Sequence, residues 1–570
     1  MSIAAMVTAR WPRRVSSVPM DIAAVEQSFG ELLAALGDIV VARTRGAPAD
    51  PAHGSTTALA RRYRHRRRRF GELLAGVDDD ALVGEDARAL ATMRGSLDWI
   101  DPMEPTPGLP TTGSVGPLAG APASEDPAIA RARAALVRRY GEAASSVRVG
   151  TETLHRLTVL ARLGTEPDPA ARRRLFEALA PVWHVVDGDG RDASPYRRLL
   201  RSSAERWRHA GSPVDANVAS VGLAPEAFEP LLHDILAAWR SVLGPARIEP
   251  WDYRYAVGAA SRRVDGLVVA DRLLGFNRDY LRALGADPDV LGVRYDVVPR
   301  PGRPAIPLAF TMGMGGWAAD QGDPTGPWTP RPPWVFATYE TGGLGNLGEL
   351  LHESGHAIHA AAIRTRPAFL ESTEADTAYV EGVADVLGWD VSEPAWQRRW
   401  LGQAATTDEA VLDRYGAVML DICWALFEIE LHRRPDRRPN DVWTQITADG
   451  LGIEPHPEWS WWALRGQLID GPGYMANYAL AALIAAAVRT RIRDARGPWW
   501  EGDPGWYGFI ADALLRPGAS RPPADLLDSF LGGPLTAEPL LADLRRTSQT
   551  GQTGMRTSAS SATARNSKLR

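Results

Sequence analysis

The stretch HESGHAIHA at residues 352–360 decides more about this chain than any other part of the sequence. On a helix, His352 and His356 lie four residues apart on one face, close enough to bind one tetrahedral metal ion. Glu353 projects about 100° around the helix from His352, beside the place where a metal-bound water would lie. Two ordinary surface histidines would give the same letters, but with 11 histidines in the chain chance produces this pattern only about 0.01 times. The stretch therefore predicts two metal ligands and a general base on one helix.

A catalytic zinc site of this kind has a third protein ligand and an open fourth position. Position 362, where one known pattern places that ligand, is Ala362. Residues 375–389, ADTAYVEGVADVLGW, form a predicted second helix on which Glu381 and Asp385 share a face. We predict Glu381 as the third ligand and Asp385 as the carboxylate that orients a ligand histidine. The alternative is that both carboxylates solvate an exposed face.

Three further side chains near the motif leave alternatives open. Glu371 and Glu374 are the other candidates for the third ligand, less favoured because they precede the second helix in a turn-like segment. His359 follows His352 by seven residues and shares nearly the same face, but it lies too far along the helix to join the same tetrahedral site. His359 is predicted either to support a ligand from behind or to be a core residue.

Two tyrosines further along the chain are candidates for the reaction itself. Tyr474 and Tyr478 are one helical turn apart at the start of a very apolar helix. Their phenol groups would be able to donate hydrogen bonds to a developing oxyanion, a contribution of about 2.7–4 kcal/mol per donor. The alternative is two core tyrosines at the end of a buried helix.

Hydrophobic periodicity over the rest of the chain predicts a mainly α protein. Between residues 290 and 340 short β-like runs alternate with Gly and Pro clusters, which predicts a small β element just before the metal helix. One of these runs, WVFATY at 334–339, is predicted to be an edge strand able to pair with a substrate chain. We divide the chain into an N-terminal helical region (1–100), a Pro/Gly-rich linker or loop (101–127), a catalytic region (128–546) and a disordered tail (547–570).

Length and composition narrow the class of protein. The chain has 570 residues, 45% of them hydrophobic and 23% charged, which is typical of a globular protein of two or more lobes. The single cysteine, Cys423, excludes an internal disulfide framework and is typical of a reducing compartment. A net charge of −5 argues against a general nucleic-acid binder. The arginine run at 61–69 would attract an acidic partner, but on a helix it is more typical of a solvated face.

The same sequence gives no sign of membrane insertion or secretion. The most apolar segment, residues 475–488, is shorter than the roughly 20 residues that a membrane span requires. Residues 1–20 contain no apolar stretch of the length found in a secretory signal. We therefore expect a cytoplasmic protein with neither a membrane nor a nucleic acid as partner.

The metal helix resembles the HEFGHxxH helix of the thimet oligopeptidase and oligoendopeptidase F family of zinc metallopeptidases, which are zincins with HExxH plus a downstream Glu. The step of 25 residues from His356 to Glu381 is similar to the spacing in that family. PWDYRY at 250–255 and GPGYMANY at 471–478 resemble two further segments of it, and VEGVADVLGWDVSEP at 380–394 is similar to a helix of angiotensin-converting enzyme. The resemblance implies a mainly α, two-lobed zincin-type body with a deep central channel.

The resemblance also implies a function. A protein of that family would be a zinc metallopeptidase with one Zn²⁺ per chain that hydrolyses short oligopeptides, with Glu353 activating a zinc-bound water and with Tyr474 and Tyr478 holding the oxyanion. Two positions depart from the family pattern, Ile469 where a histidine is usual and Ala481 where a tyrosine is usual. These departures favour one alternative, a zinc hydrolase of the same fold acting on a non-standard amide such as a peptide-like metabolite. A non-catalytic zinc-binding scaffold is the other alternative.

Overall fold

Helices dominate the structure, which is a computed structural model of the chain. It describes residues 21–46, 56–78, 82–100, 125–187, 194–302, 305–306, 308–313, 315–318, 328–370 and 377–545. The predicted tail at 547–570, most of the predicted linker at 101–127, and the alternative ligands Glu371 and Glu374 lie outside these residues.

The α-helices of the described residues are numbered in chain order. They are α1 (Ile22–Arg45), α2 (Thr56–Leu74), α3 (Gly84–Ile100), α4 (Pro127–Ser145), α5 (Arg156–Thr165), α6 (Pro169–Glu177), α7 (Ala180–Asp187), α8 (Pro195–Trp207), α9 (Pro213–Ser220), α10 (Pro225–Leu243), α11 (Tyr253–Val257), α12 (Ala259–Val264), α13 (Leu273–Ala283), α14 (Leu344–Ala362), α15 (Thr377–Gly388), α16 (Pro394–Leu401), α17 (Thr407–Arg433), α18 (Pro439–Leu451), α19 (Gln467–Asp470), α20 (Met475–Arg496), α21 (Trp506–Ile510) and α22 (Pro523–Leu531). A last helical segment covers residues 538–545.

Proline explains where many of these helices begin. Eight of them, from α4 to α22, start with proline, whose fixed φ suits the first helical position and whose missing N–H would be unbonded there in any case. Just before that proline, the side chains of Asp126, Asp168 and Ser194 accept hydrogen bonds from the first backbone N–H groups. The high proline content therefore marks helix starts as well as loops.

The β element lies just before α14, as the sequence predicts. Its strands are β3 (Arg294–Asp296), β4 (Phe310–Met312), β5 (Gly316–Ala318), β6 (Trp328–Pro330) and β7 (Trp334–Phe336). A separate short hairpin earlier in the chain consists of β1 (Val147–Val149) and β2 (Glu152–Leu154). A three-stranded sheet has the order β3–β7–β4, with β3 parallel and β4 antiparallel to β7, and β5 pairs with β6. The mainly α fold class with this small β element is confirmed.

The prediction that WVFATY is an edge strand is wrong. Val335 of β7 is paired with Tyr295 of β3 on one side and with Thr311 of β4 on the other. Trp334, Val335 and Phe336 are apolar in succession, and Val335 and Phe336 are buried, which is typical of a strand in the middle of a sheet. The edge that lies against the metal helix is β4.

Two hydrophobic clusters organise the described residues. The N-terminal helices α1, α2 and α3 share a small core, in which Phe29 and Phe70 lie with ring centroids 5.3 Å apart, and they dock on Ala368 and Phe369. The larger core extends from α4 to the C-terminal helical segment and encloses α15 and α20. Arg366 joins the two parts through hydrogen bonds to the buried carboxylate of Glu26.

Close helix contacts in the larger core depend on small residues. A Cβ atom on Gly382 of α15 would lie 2.7 Å from Cβ of Ile484 and 2.9 Å from the backbone oxygen of Ala481, both on α20. The two helices therefore touch almost backbone to backbone, and α20 is apolar because it is surrounded by protein. Within the residues that the structure describes, no helix combines the length and apolar character needed to cross a membrane.

Candidate metal centre

The crossing of α14 and α15 brings the predicted ligands together. A Cβ atom on Gly355 of α14 would lie 2.9 Å from Cα of Ala384 on α15, a distance that real Cβ atoms do not adopt. One turn further along, Gly388 of α15 lies so close that a Cβ there would be 3.1 Å from Cβ of His352. The residue between the histidines is therefore small because the second helix passes directly over it.

Three predicted ligand atoms converge at this crossing. Nε2 of His352 lies 3.1 Å from Nε2 of His356 and 3.4 Å from Oε2 of Glu381, and the third edge of the triangle is 4.0 Å. Ligand atoms of a tetrahedral zinc ion with bonds of about 2.0–2.2 Å lie about 3.3–3.6 Å apart. The donor set of two imidazoles and one carboxylate is that of a catalytic zinc site, so these residues fit a zinc ion.

Asp385 fixes the orientation of one ligand. Its Oδ1 lies 2.7 Å from Nδ1 of His352, and because a carboxylate only accepts, Nδ1–H is the donor. That hydrogen bond leaves the lone pair of Nε2 directed at the other two ligands. The side chains of His352, His356 and Glu381 are 20%, 18% and 21% exposed, so the ligand triangle is reachable from outside.

The three ligands differ in their protonation states in the metal-free protein. Burial lowers the pKa of His356 to about 3, so its imidazole is neutral and offers a lone pair. Burial raises the pKa of Glu381, but its hydrogen bond with His352 and the positive charge of His352 hold that pKa below the usual value. Burial opposes the charged form of His352, but the carboxylates of Asp385 and Glu381 raise its pKa well above the usual value. A metal ion bound at the triangle would displace that proton, because a ligand imidazole is neutral.

Glu353 lies beside the triangle on the same helix and is 8% exposed. The hydroxyl of Thr311 on β4 lies 2.8 Å from Oε2 of Glu353 and 2.7 Å from its backbone oxygen. Burial raises the pKa of Glu353 to about 7. A buried carboxyl group with a pKa near neutrality is able both to take up and to release a proton at physiological pH. Sequence reasoning missed Thr311, because a single threonine in a short strand carries no motif.

His359 does not reach the ligand triangle. It is buried on α14, with its ring centroid 6.2 Å from that of Tyr379 in an edge-on arrangement, and burial lowers its pKa to about 4. Of the two predicted roles, this placement matches a neutral core histidine packed between α14 and α15.

Both predicted tyrosines lie at the start of α20. We call α17, α20 and the residues 461–474 that lead into α20 the tyrosine wall. The rings of Tyr474 and Tyr478 are 5.6 Å apart, and Tyr478 accepts a hydrogen bond of 3.2 Å from Nε2 of Gln467. Burial and the charge of Glu381 raise the pKa of Tyr478, so its phenol stays protonated and able to donate. Tyr478 lies one turn before Ala481, whose backbone oxygen faces Gly382, the residue after Glu381.

A buried glutamate holds the backbone around Tyr474. One carboxylate oxygen of Glu428 on α17 accepts from the N–H of Gly473 at 2.7 Å, and the other accepts from the N–H of Met475 at 2.9 Å. Asn217 donates to the backbone oxygen of Gly473 at 3.0 Å. The residues on both sides of Tyr474 are thereby fixed. Sequence reasoning missed Glu428, although an acidic residue directly after the apolar run at 422–427 was a signal for it.

The two departures from the family pattern lie in well-packed positions. Ile469 in α19 and Ala481 in α20 are fully buried. The backbone oxygen of Ile469 accepts a hydrogen bond from Arg133, and that of Ala481 faces Gly382. Neither position offers a side-chain hydrogen-bond donor.

Comparison with solved structures identifies the fold. A structure designated oligoendopeptidase F aligns with a TM-score of 0.55, covering 93% of this chain and 96% of that chain at 16% identity. M32 carboxypeptidase from Deinococcus radiodurans R1 aligns with a TM-score of 0.53, covering 92% and 98% at 15% identity. PZ peptidase A aligns with a TM-score of 0.53, covering 94% and 97% at 13% identity. The chain has the fold of a helical metallopeptidase.

These likenesses establish the fold and leave the exact family open. No family model matches the sequence, and no curated protein matches it. The solved neighbours include both an oligoendopeptidase and a carboxypeptidase, so the fold is shared by metallopeptidases that differ in where they cut. The local similarity of residues 380–394 to angiotensin-converting enzyme stays a prediction.

Proposed function

We propose that this protein is a cytoplasmic, zinc-dependent metallopeptidase that hydrolyses short oligopeptides. The observation that carries the proposal is the triangle of His352, His356 and Glu381, whose edges of 3.1–4.0 Å match the ligand atoms of one ion. A zinc ion bound there would supply a Lewis acid for the scissile carbonyl and lower the pKa of a water molecule. We assign one ion per chain.

The side chains around the triangle have separate roles in proton transfer and in stabilising the transition state. Glu353 takes a proton from the attacking water on one carboxylate oxygen and delivers it to the leaving amine. Thr311 holds Oε2 of Glu353 at 2.8 Å, which leaves Oε1 for the proton. Tyr474 and Tyr478 donate hydrogen bonds to the oxygen that becomes negatively charged in the transition state.

The substrate would bind along β4. Among the residues that the structure describes, the strand order β3–β7–β4 leaves one side of β4 without a strand partner, and Thr311 on that strand touches Glu353. An extended peptide pairing with an edge strand gains main-chain hydrogen bonds that do not depend on its sequence. Pairing there would bring the peptide backbone next to the general base.

The test is mass spectrometry of a mixed library of peptides, about 4 to 20 residues long, incubated with zinc-loaded protein. Parallel incubations use Glu353→Gln and protein stripped of metal by a chelator. The proposal expects cleavage by the zinc-loaded wild type alone, with Glu353→Gln still binding zinc. Equal cleavage by Glu353→Gln would overturn the assigned role of Glu353.

A second candidate is a zinc hydrolase of the same fold that acts on a non-standard amide. Fully buried Ile469 and Ala481 favour it, because they remove two donor groups that the resemblance places at the oxyanion. In the library experiment this candidate predicts one bound zinc ion, no cleavage of ordinary peptides, and turnover of peptide-like metabolites. A scaffold without activity predicts zinc binding and no turnover of either class.

A further inference from the structure

A cavity of about 300 Å³ lies behind the tyrosine wall. It is enclosed by α5, α11, α17 and residues 461–465, and three arginines line it. These are Arg156 of α5, Arg254 of α11 and Arg465, which are separated by about 100 and 200 residues in the chain. No motif links them, and only the fold brings their guanidinium groups to one cavity.

Positive charge exceeds negative charge around this cavity. Arg465 forms an ion pair with Asp421 of α17. Arg156 and Arg254 form neither an ion pair nor a side-chain hydrogen bond with any residue that the structure describes, and Nε of Arg156 is buried without a partner. Burial and the charge of Arg465 lower the pKa of Arg254 to about 10, which still leaves it charged at neutral pH. Three guanidinium groups thus share one carboxylate.

The rest of the lining is apolar. Trp424 and Trp461, together with Leu160 and Phe176, form much of the wall. Arg156 and Arg254 are half-buried, and Arg156 also lies over the ring of Tyr140, 5.5 Å from its centroid. Neither has a carboxylate of its own to replace the hydration that a half-buried guanidinium group loses. A cavity with this lining is suited to a ligand that carries an anionic group next to an apolar one.

The cavity adjoins the proposed catalytic site through Tyr478. The guanidinium carbon of Arg465 lies 5.4 Å from the ring centroid of Tyr478, and 4.8 Å from that of Trp424. The charges of Glu381 and of Arg465 both act on the phenol of Tyr478. Tyr478 lies on α20, which packs against α15 at Gly382, the residue after Glu381, so one helix connects the cavity arginine to the ligand-bearing helix.

We propose that the arginine cavity binds the C-terminal carboxylate of the peptide substrate, with the apolar side chain of the last residue packed against Trp424 and Trp461. This inference rests on the proposed function, because it assigns the substrate class of the same site. A guanidinium group binds a carboxylate through two parallel hydrogen bonds, which neither an amide nor an ester reproduces. The enzyme would therefore act near the C-terminal end of peptides with a free carboxylate.

The decisive measurement is calorimetric binding to the zinc-loaded Glu353→Gln protein, which would hold peptides without cutting them. The ligands are N-acetyl-Ala-Ala-Phe and its C-terminal amide. We expect the free acid to bind at least about 10-fold more tightly than the amide, and Arg254→Met, placed in the same protein, to abolish that difference. Arg173→Met is the matched control, since Arg173 lies on neighbouring α6 outside the cavity and pairs with Glu177.

A melting curve separates recognition from a structural role. Arg254 forms neither an ion pair nor a side-chain hydrogen bond with a described residue, and the repulsion by Arg465 exceeds the attraction to Asp421. Arg254→Met without ligand is therefore expected to melt no lower than the wild type, and only the wild type is expected to gain stability on adding the free acid. A large drop in the melting temperature of Arg254→Met without ligand would overturn the inference.

The remaining outcomes keep this inference distinct from the proposed function. Cleavage of free-acid and amidated peptides at equal rates would overturn the carboxylate assignment and leave the peptidase intact. Arg254-dependent binding of the free acid without cleavage of any peptide by the wild type would support the cavity and contradict the peptidase. Acetate or phosphate binding as tightly as the tripeptide would identify a small-anion site and overturn the substrate assignment.

Discussion

The α14–α15 pair and the tyrosine wall border sites of opposite charge preference. At the helix pair, lone pairs and a carboxylate from His352, His356 and Glu381 converge on one point, which suits a cation. Behind the wall, Arg156 and Arg254 converge on a cavity that suits an anion. The three metal ligands come from 30 consecutive residues, 352–381. The three arginines of the cavity, from Arg156 to Arg465, are spread over more than 300 residues. Nearness in sequence therefore made only one of the two regions predictable.

The largest expected effect separates a metal ligand from a neighbouring histidine. His356→Ala removes one corner of the ligand triangle, so we expect less than one zinc per chain and a loss of hydrolysis of more than about 10³-fold. His359→Leu, three residues further along the helix, is the control and is expected to keep its zinc. Metal content by elemental analysis and peptide hydrolysis measure both. If His359→Leu also lost zinc, the triangle would have been assigned to the wrong histidines.

The next effect tests whether the wall takes part in the reaction. Removing one phenol hydroxyl, by Tyr474→Phe or by Tyr478→Phe, is expected to lower kcat by about 10²–10³-fold with little change in zinc content. Steady-state kinetics on a peptide found in the library would separate kcat from KM. A change confined to KM would make the tyrosines substrate contacts and leave the transition state to the helix pair alone.

A smaller effect, on zinc affinity, is expected from Asp385, which contacts the ligand His352. Asp385→Asn keeps an oxygen at the 2.7 Å contact with His352 but removes the charge that holds Nδ1–H. Loss of such a partner typically lowers metal affinity by about 10–100-fold. Competition with a zinc-binding dye would measure the change. Unaltered affinity would show that the crossing of the helices orients His352 without this carboxylate.

The smallest effect concerns stability and belongs to the wall. Burial raises the pKa of Glu428 to about 8, against an ordinary value of 4.5. Between these two values the folded chain holds a proton that the unfolded chain has lost, so this group makes the free energy of unfolding decrease as pH rises, by at most about 1.4 kcal/mol per pH unit. Denaturant unfolding at several pH values measures this dependence. Between pH 4.5 and about 8, the free energy of unfolding of Glu428→Gln should decrease less with rising pH than that of the wild type. An unchanged slope would mean that Glu428 is ionised in the folded protein.

The sequence was sufficient for the helical fold and for the ligand triangle. Helical periodicity is local, and the spacing of His352, His356 and Glu381 follows from the geometry of two helices. It was insufficient for contacts between distant segments, such as Thr311 with Glu353 or Glu428 with the backbone beside Tyr474. It also misplaced WVFATY, because a strand of three residues looks alike at the edge and at the centre of a sheet. These features depend on which elements become neighbours, and periodicity does not report that.

The close contact of α14 and α15 at Gly355 couples metal binding to the stability of the larger core. Because α14 and α15 touch at Gly355 and Ala384, the separation of the helices also sets the distance from the histidines to Glu381. An ion held by both helices acts as a removable crosslink, and at a free concentration 1,000 times its dissociation constant it adds about 4.1 kcal/mol to the free energy of unfolding. Chelation would therefore loosen α15 and, through Gly382, the packing of α20. The melting temperature of this protein would report the free metal concentration around it.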